Sequence, residues 1–515
     1  MSTAAPRPIR FVHQGQIQEV EGLAPTTTVL QWLREQAHCT GTKEGCAEGD
    51  CGACTVVVGE ADPDTGAWRQ KTVNACIQFL PTLDGKALIT VEDLKPGDSD
   101  KLHPCQQAMV DCHGSQCGFC TPGFVMSLWD IYQTHEQPLA RHDLADALSG
   151  NLCRCTGYRP ILDAGEKMYA APRESFSPEP LLVQLGTLTH ELNHDLANGL
   201  VYEGPAHTDS HERSRFFAPR SLAELATLRQ SMPEARLLAG STDVGLWVTK
   251  QFKALGDIIY LGNVRELRHI TEQPVQGAQA VQLNVGAAVT LEEAWQALAD
   301  RMPVLREIWL RFASPPVRHA GTLVGNLANG SPIGDSAPIL LALDASLVLR
   351  KGPQTRHIPL SSFYLDYMKN ALQAGEFIES VRIPVVAPSA AGLLRAYKIS
   401  KRRDSDISAV CAGLYIELDG ERITTARLAW GGMAATARRA TQAEAALVGQ
   451  DWTEATLRQA QAALAQDFQP MTDLRATRDY RLKVAANLLE RFWLETRPTQ
   501  PLRASDVQVW PCDAA

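Results

Sequence analysis

The chain has 515 residues, of which 45% are apolar and 21% charged, an ordinary composition for a soluble globular protein of about three or four domains. A formal charge of -9 supplies no basic field and argues against nucleic acid or anionic lipid as a partner, since both are recruited by clustered Lys and Arg. The N-terminal MSTAAPRPIR lacks the apolar run of a signal peptide, and Asp344 interrupts PILLALDASLVL far short of a spanning helix, so the chain reads as cytoplasmic with no membrane segment.

Up to about residue 95, short strand-type runs (RFVHQ, CTVVVGE, NACIQFL, ALITVEDL) surround one helical segment, TTVLQWLREQA, whose threonines at 26–28 can cap its start. This predicts a small α+β unit. It holds GCAEGDCGACT, where Cys46, Cys51 and Cys54 fall in a loop, with Cys76 further on and placed on a strand. Thirteen cysteines in a reducing compartment suit metal ligation or burial better than disulfides, and eleven of them precede residue 156. The C-x4-C-x2-C run plus a distant fourth cysteine is the spacing that holds a [2Fe-2S] cluster in plant-type ferredoxins. A loop wrapping a cluster must turn tightly and aim N–H groups at sulfur, which Gly45, Gly49 and Gly52 permit. Structural zinc is the competing reading, but zinc loops pair C-x2-C with C-x2-C and fit a triple run poorly.

From about 104 to 170 the pattern turns helical, with Pro122 suited to the first turn of PGFVMSLWDIYQTH and further helices at RHDLADALSG and PILDAGEKMYA. Cys117 and Cys120 in QCGFCTPG, then Cys153 and Cys155 in NLCRCTGYRP, form a second set of four at helix ends. By spacing alone this set fits zinc as well as an iron-sulfur cluster.

Residues 171–212 are polar with several Pro and Gly and read as a linker across the surface. Beyond them a new domain starts near FFAPRSLAEL. LLAGSTDVGL is an apolar strand entering Gly-Ser-Thr-Asp, and GTLVGNLANGSPIGDSAP is a longer loop of small residues. Both suit a buried pyrophosphate, which backbone N–H groups and hydroxyls can approach without obstruction. Neither contains G-x-G-x-x-G, so a Rossmann site is not indicated, and ordinary α/β turns remain an alternative for each loop. The charged run at Arg402, Arg403, Asp404 and Asp406 suits a solvated turn equally well.

GCAEGDCGACTV, NACIQFL, QCGFCTPG and LCRCTGYRPI, in this order, resemble the iron-sulfur half of the xanthine dehydrogenase family of molybdenum hydroxylases. The resemblance implies an α+β multidomain fold. It comprises a plant-type ferredoxin-like β-grasp domain at 7–95, a four-helix [2Fe-2S] bundle at 96–170, the linker at 171–212, a vanillyl-alcohol-oxidase-like FAD domain at 213–390 and a small α+β C-terminal domain at 391–510 that includes DYRLKVAANLLERFW. It implies one [2Fe-2S] cluster on Cys46, Cys51, Cys54 and Cys76, and another on Cys117, Cys120, Cys153 and Cys155. Cys39, Cys105, Cys112, Cys411 and Cys512 match no ligand position and read as buried or incidental thiols. For FAD it implies a lining of Leu237, Leu238, Ala239, Gly240, Ser241, Thr242, Asp243, Thr322, Gly325, Asn326, Asn329, Ser331 and Asp335. Phe312 would lie against the isoalloxazine, with Ile378 nearby and Lys398 beside the flavin.

The arrangement is similar to the small subunit of two-gene bacterial members, which implies a molybdopterin-binding large subunit in an (αβ)2 heterotetramer. Electrons from hypoxanthine or xanthine hydroxylation at molybdenum would pass to the 117–155 cluster, where Gln116 would border the pterin, then to the 46–76 cluster, FAD and NAD+. On this reading no side chain of the chain is an acid, base or nucleophile. An aldehyde-oxidising relative, or a zinc-stabilised nucleotide-binding scaffold, stands as the alternative.

Overall fold

In the first domain the strands run Gln16–Val20, Ile9–His13, Ala87–Ile89, Thr55–Ala61, Trp68–Asn74 across one sheet, with Ile9–His13 parallel to Ala87–Ile89 and the other pairs antiparallel. The helix Val29–Glu35 begins where the Thr28 hydroxyl accepts from the Gln31 N–H and the Gln31 side chain accepts from the Thr28 N–H, a capping box that satisfies two helix-end donors. Its Val29, Trp32 and Leu33 bury against Phe11 and Val56. The computed structural model describes residues 5–94, 101–195, 199–206, 211–274, 281–386 and 392–507.

The helices Pro104–Asp111, Thr121–Thr134, Arg141–Ala147 and Arg159–Lys167 form the second domain. Pro122 sits in the first turn of its helix, where a missing N–H costs nothing. Phe124, Leu128 and Ile161 of this bundle share a core with Val57 and Ile89 of the first sheet.

Residues 171–212 are more structured than their polarity suggests. They contain the helix Glu179–Asp195, whose Leu185 and Leu188 bury against Val12 and Ala87, and the strand Leu200–Pro205, which pairs with Arg213–Ala218. The expected linker thus supplies a lid on the first sheet and an edge of the next.

The third domain has two sheets. One runs Leu200–Pro205, Arg213–Ala218, Ile258–Tyr260, Arg236–Leu238; the other is antiparallel, Ile270–Pro274, Val281–Gly286, Phe377–Pro384, Ser346–Lys351, Gln354–Pro359. Tyr202, Phe216 and Ile258 of the first of these join the core of the ferredoxin-like domain, so the two domains are packed through a continuous apolar contact. The last domain is a sheet of Gly392–Ile399, Val410–Asp419, Arg422–Gly431 and Arg438–Arg439 under the helices Thr441–Leu447, Glu454–Asp467 and Arg478–Thr496. Among the described residues no helix is long and apolar enough to cross a membrane.

Candidate iron-sulfur and flavin sites

The loop between Val29–Glu35 and Thr55–Ala61 folds back on itself through residues in the left-handed region: Ala47 at φ 53, Gly49 at 78 and Gly52 at 68. A Cβ on Gly45 would lie 2.8 Å from the Cys51 sulfur, so glycine is what lets the chain close around the thiols. Cys51 N–H donates to the Cys46 sulfur at 3.3 Å. The four thiols interact in a chain, Cys51 with Cys46, Cys46 with Cys76, and Cys76 with Cys54. Hydrogen bonds from Cys51 and Cys76 hold the Cys46 thiol far below its ordinary value, while Cys51 and Cys76 are pushed far above theirs, first by the shared hydrogen bonds and then by burial. Cys76 lies just past the end of Trp68–Asn74, in a turn and not on the strand as expected, because the strand must release the chain to bring this sulfur to the loop.

The second set is paired, Cys120 with Cys153 and Cys117 with Cys155. Cys117 and Cys155 are exposed, Cys120 is half-buried and Cys153 is buried. Burial, then the hydrogen bond shared with Cys153, pushes the Cys120 thiol up to about 12. Burial also acts upward on Cys153, but hydrogen bonds from Thr156, whose hydroxyl lies 3.2 Å away, bring it below its ordinary value. Among the described residues no three His, Cys, Asp or Glu side chains are drawn to the spacing of a single metal ion. Two groups of four thiols are a donor set that fits two-iron clusters and that structural zinc shares. Cys39, Cys105 and Cys411 are buried and Cys112 half-buried, away from both groups; Cys512 lies outside the described residues.

The two loops expected to line FAD meet at their backbones. A Cβ on Gly240 would lie 1.9 Å from the Ala320 oxygen, and one on Gly325 2.7 Å from the Thr322 hydroxyl, which caps its helix by accepting from Gly325 N–H at 2.9 Å. Partial desolvation pushes the Asp243 carboxyl above the usual range, outweighing the lowering influence of Trp247 and Asn329, although the residue reaches solvent. The Asn326 Oδ1 is buried without a partner, a free acceptor inside the small-residue cradle. Close backbone approach at Gly240 and Gly325 and one unused buried acceptor are features that suit a bound dinucleotide. Leu238, Ser241 and Thr322 are buried, and Leu237, Ala239, Gly240, Thr242 and Ser331 half-buried. Phe312 is 7% exposed, its ring 6.1 Å from that of Trp295, and Ile378 lies in the core on Phe377–Pro384. Asp335 and Lys398 form a buried ion pair at 2.7 Å, and the second Asp335 oxygen accepts from Ser408 at 2.5 Å. A cavity of about 370 Å³ touches these loops only at Ala239 and Thr322, and is otherwise walled by residues such as Glu60, Lys71 and Lys86.

Six interdomain contacts escaped sequence reasoning. Ser241, at φ 64, donates its hydroxyl to Ile77 O at 2.6 Å, one residue from Cys76. Thr249 donates to Ala47 O at 2.8 Å, one residue from Cys46. On the opposite side Leu152 N–H donates to Cys51 O at 3.0 Å, and the Asn151 amide to Gly52 O at 3.0 Å. The charged run of the last domain also points inward in part: Arg402 lies 3.5 Å from Asp50, and Ser405 donates to Ser149 O at 3.1 Å.

Residues 11–80 match a 2Fe-2S iron-sulfur cluster binding domain, 90–166 a [2Fe-2S] binding domain, 211–386 the FAD binding domain in molybdopterin dehydrogenase and 395–496 the CO dehydrogenase flavoprotein C-terminal domain. A xanthine dehydrogenase of Emericella nidulans is 33% identical over 546 residues, covering 97% of this chain and 39% of that protein. One of Drosophila pseudoobscura pseudoobscura is 32% identical over 467 residues, covering 80% and 33% respectively. The chain therefore spans well under half the length of these relatives. Carbon monoxide dehydrogenase from Hydrogenophaga pseudoflava, in a form lacking the Mo-pyranopterin moiety, superposes with a TM-score of 0.50 at 26% identity, over 54% of this chain and 94% of that one. With both iron-sulfur modules, the flavin module and its companion domain matched in order, the chain belongs to the molybdenum hydroxylase family and is an electron-transfer iron-sulfur and FAD unit of it.

Proposed function

We propose that this chain carries electrons for a xanthine dehydrogenase, from hypoxanthine or xanthine oxidised at a molybdopterin-binding large subunit to NAD+. Cys117, Cys120, Cys153 and Cys155 hold the cluster on the molybdenum side, and Cys46, Cys51, Cys54 and Cys76 the cluster on the flavin side. The loops of residues 237–243 and 322–335 hold FAD, with Phe312, Ile378 and Lys398 about its ring system. Two [2Fe-2S] clusters pass electrons singly, and FAD collects two and releases them as a hydride. The observation that supports this reading is the placement of the first cysteine set, its 46–54 loop bonded to the second set through Leu152 and its Cys76 turn bonded to the 237–243 loop through Ser241. Those two contacts support three cofactor positions in series.

The chain's own residues fix this series. Ser241 ties the flavin cradle to the turn that carries Cys76, Thr249 ties it to the loop of Cys46, and Lys398 with Ser408 locks Asp335 in one orientation. Substrate oxidation by the complex with its large subunit, followed as NADH formation, tests the reading. Hypoxanthine and xanthine each give NADH with the unaltered complex. NADH formation from aldehydes but not purines refutes the substrate class, and reduction of oxygen but not NAD+ refutes the acceptor.

A further inference from the structure

Asn151 is 2% exposed, and its amide makes three hydrogen bonds, two of them across the domain boundary. Its nitrogen donates to Gly52 O at 3.0 Å and to the Thr55 hydroxyl at 3.1 Å, both in the first domain. Its oxygen accepts from the buried Ser127 hydroxyl at 2.6 Å, from the helix Thr121–Thr134 of the second. The acceptor Gly52 O belongs to the Gly52–Ala53 peptide, which lies in the loop between Cys51 and Cys54 of the first set. Ser127, Asn151 and the 52–53 peptide therefore form one directional relay of donors ending in the peptide that follows Cys51.

Hydrogen bonds in such a chain polarise one another, and a more strongly polarised N–H stabilises a more electron-rich sulfur. The fit leaves no slack. A Cβ on Gly52 would lie 2.6 Å from Asn151 Nδ2 and 2.1 Å from Gly150 O, and one on Gly123 would lie 2.1 Å from Gly52 O. The side chain thus reports the position of the second cysteine loop to the first loop directly.

We propose that Asn151, carried on the loop of one iron-sulfur cluster, tunes the reduction potential of the other through Gly52, with Ser127 as the outer member of the relay. The proposal rests on the cluster assignments above. Asn151 is a positioning residue: it touches no expected ligand atom and acts through the Gly52–Ala53 peptide.

The test is a reductive titration of the full chain with redox mediators, both clusters being followed by EPR and visible circular dichroism. In Asn151→Ala the 46–76 cluster becomes harder to reduce. Its reduced-to-oxidised ratio at a fixed ambient potential falls roughly fivefold, what one hydrogen bond of ordinary net strength is worth. Ser127→Ala, remote from every cysteine ligand, moves the same cluster in the same direction by less, and Asn151→Gln restores part of the shift. Should Asn151→Ala lose iron, Ser127→Ala decides. An unmoved 46–76 cluster in Ser127→Ala, or a shift confined to the 117–155 cluster, overturns the proposal. Unaltered protein without two distinct iron-sulfur signals overturns instead the assignment beneath it.

Discussion

Alanine at position 240 places a methyl carbon 1.9 Å from Ala320 O and 2.5 Å from Gly321 Cα. Both obstacles are backbone, so no rotamer change relieves the overlap and the two flavin loops must separate. Gly240 does not occupy the left-handed region, so the penalty is steric and not conformational. Overpacking of this kind costs about 1–3 kcal/mol. In a domain of this size each kcal/mol lowers the melting temperature by about 2–4 °C, and the same energy charged to the bound state weakens FAD roughly 5- to 150-fold. The assay releases flavin from Gly240→Ala with acid, quantifies it by fluorescence across a series of added FAD, and counts iron in the same samples. Flavin occupancy falls and iron content does not. Unaltered FAD affinity and melting temperature would show that the loops do not meet at Gly240 as described. Equal loss of iron and flavin would show that the position serves general stability and not the cradle.

Cys54→Ser removes the EPR signal of the 46–76 cluster, leaves that of the 117–155 cluster, and stops NADH formation while substrate still reduces the molybdenum side; continued NADH formation contradicts the order of transfer. Lys398→Met strands the buried Asp335 carboxylate and lowers stability in urea by about 3–5 kcal/mol, and adding Asp335→Asn recovers much of the loss. Additive effects in that double-mutant cycle would mean the pair is not coupled. Burial alone would raise the Glu60 carboxyl, but Lys86, Arg268 and Lys71 outweigh it and hold the group at about 2. A folded value below the ordinary 4.5 means that ionised Glu60 stabilises the protein above pH 4.5, and that this contribution is lost as pH falls from there toward 2. Melting temperature in that window falls more steeply for the natural protein than for Glu60→Gln, and superimposable profiles contradict the assignment.

Local spacing made the iron-sulfur part legible, since Cys46, Cys51 and Cys54 and their glycines lie within one short loop whose chemistry is written consecutively. The helix Val29–Glu35 and its threonine cap, and Pro122 at the start of Thr121–Thr134, were readable for the same reason. Nothing local marks Ser241 as a partner of Ile77, or Asn151 as a partner of Gly52, because those bonds exist only once two domains have docked. Asp335 and Lys398 were expected near the flavin; that they pair with each other is a tertiary fact. The Glu179–Asp195 helix was missed although Leu181, Leu185 and Leu188 recur at helical spacing, because the Pro and Gly on either side dominated the reading of 171–212.

The most direct test counts iron, acid-labile sulfide, zinc and FAD on one sample of the purified chain. Two clusters and one flavin predict about four irons, as many sulfides and one FAD per chain, with visible bands to match. Zinc in place of iron, or about two irons in folded protein with full flavin, would contradict the account.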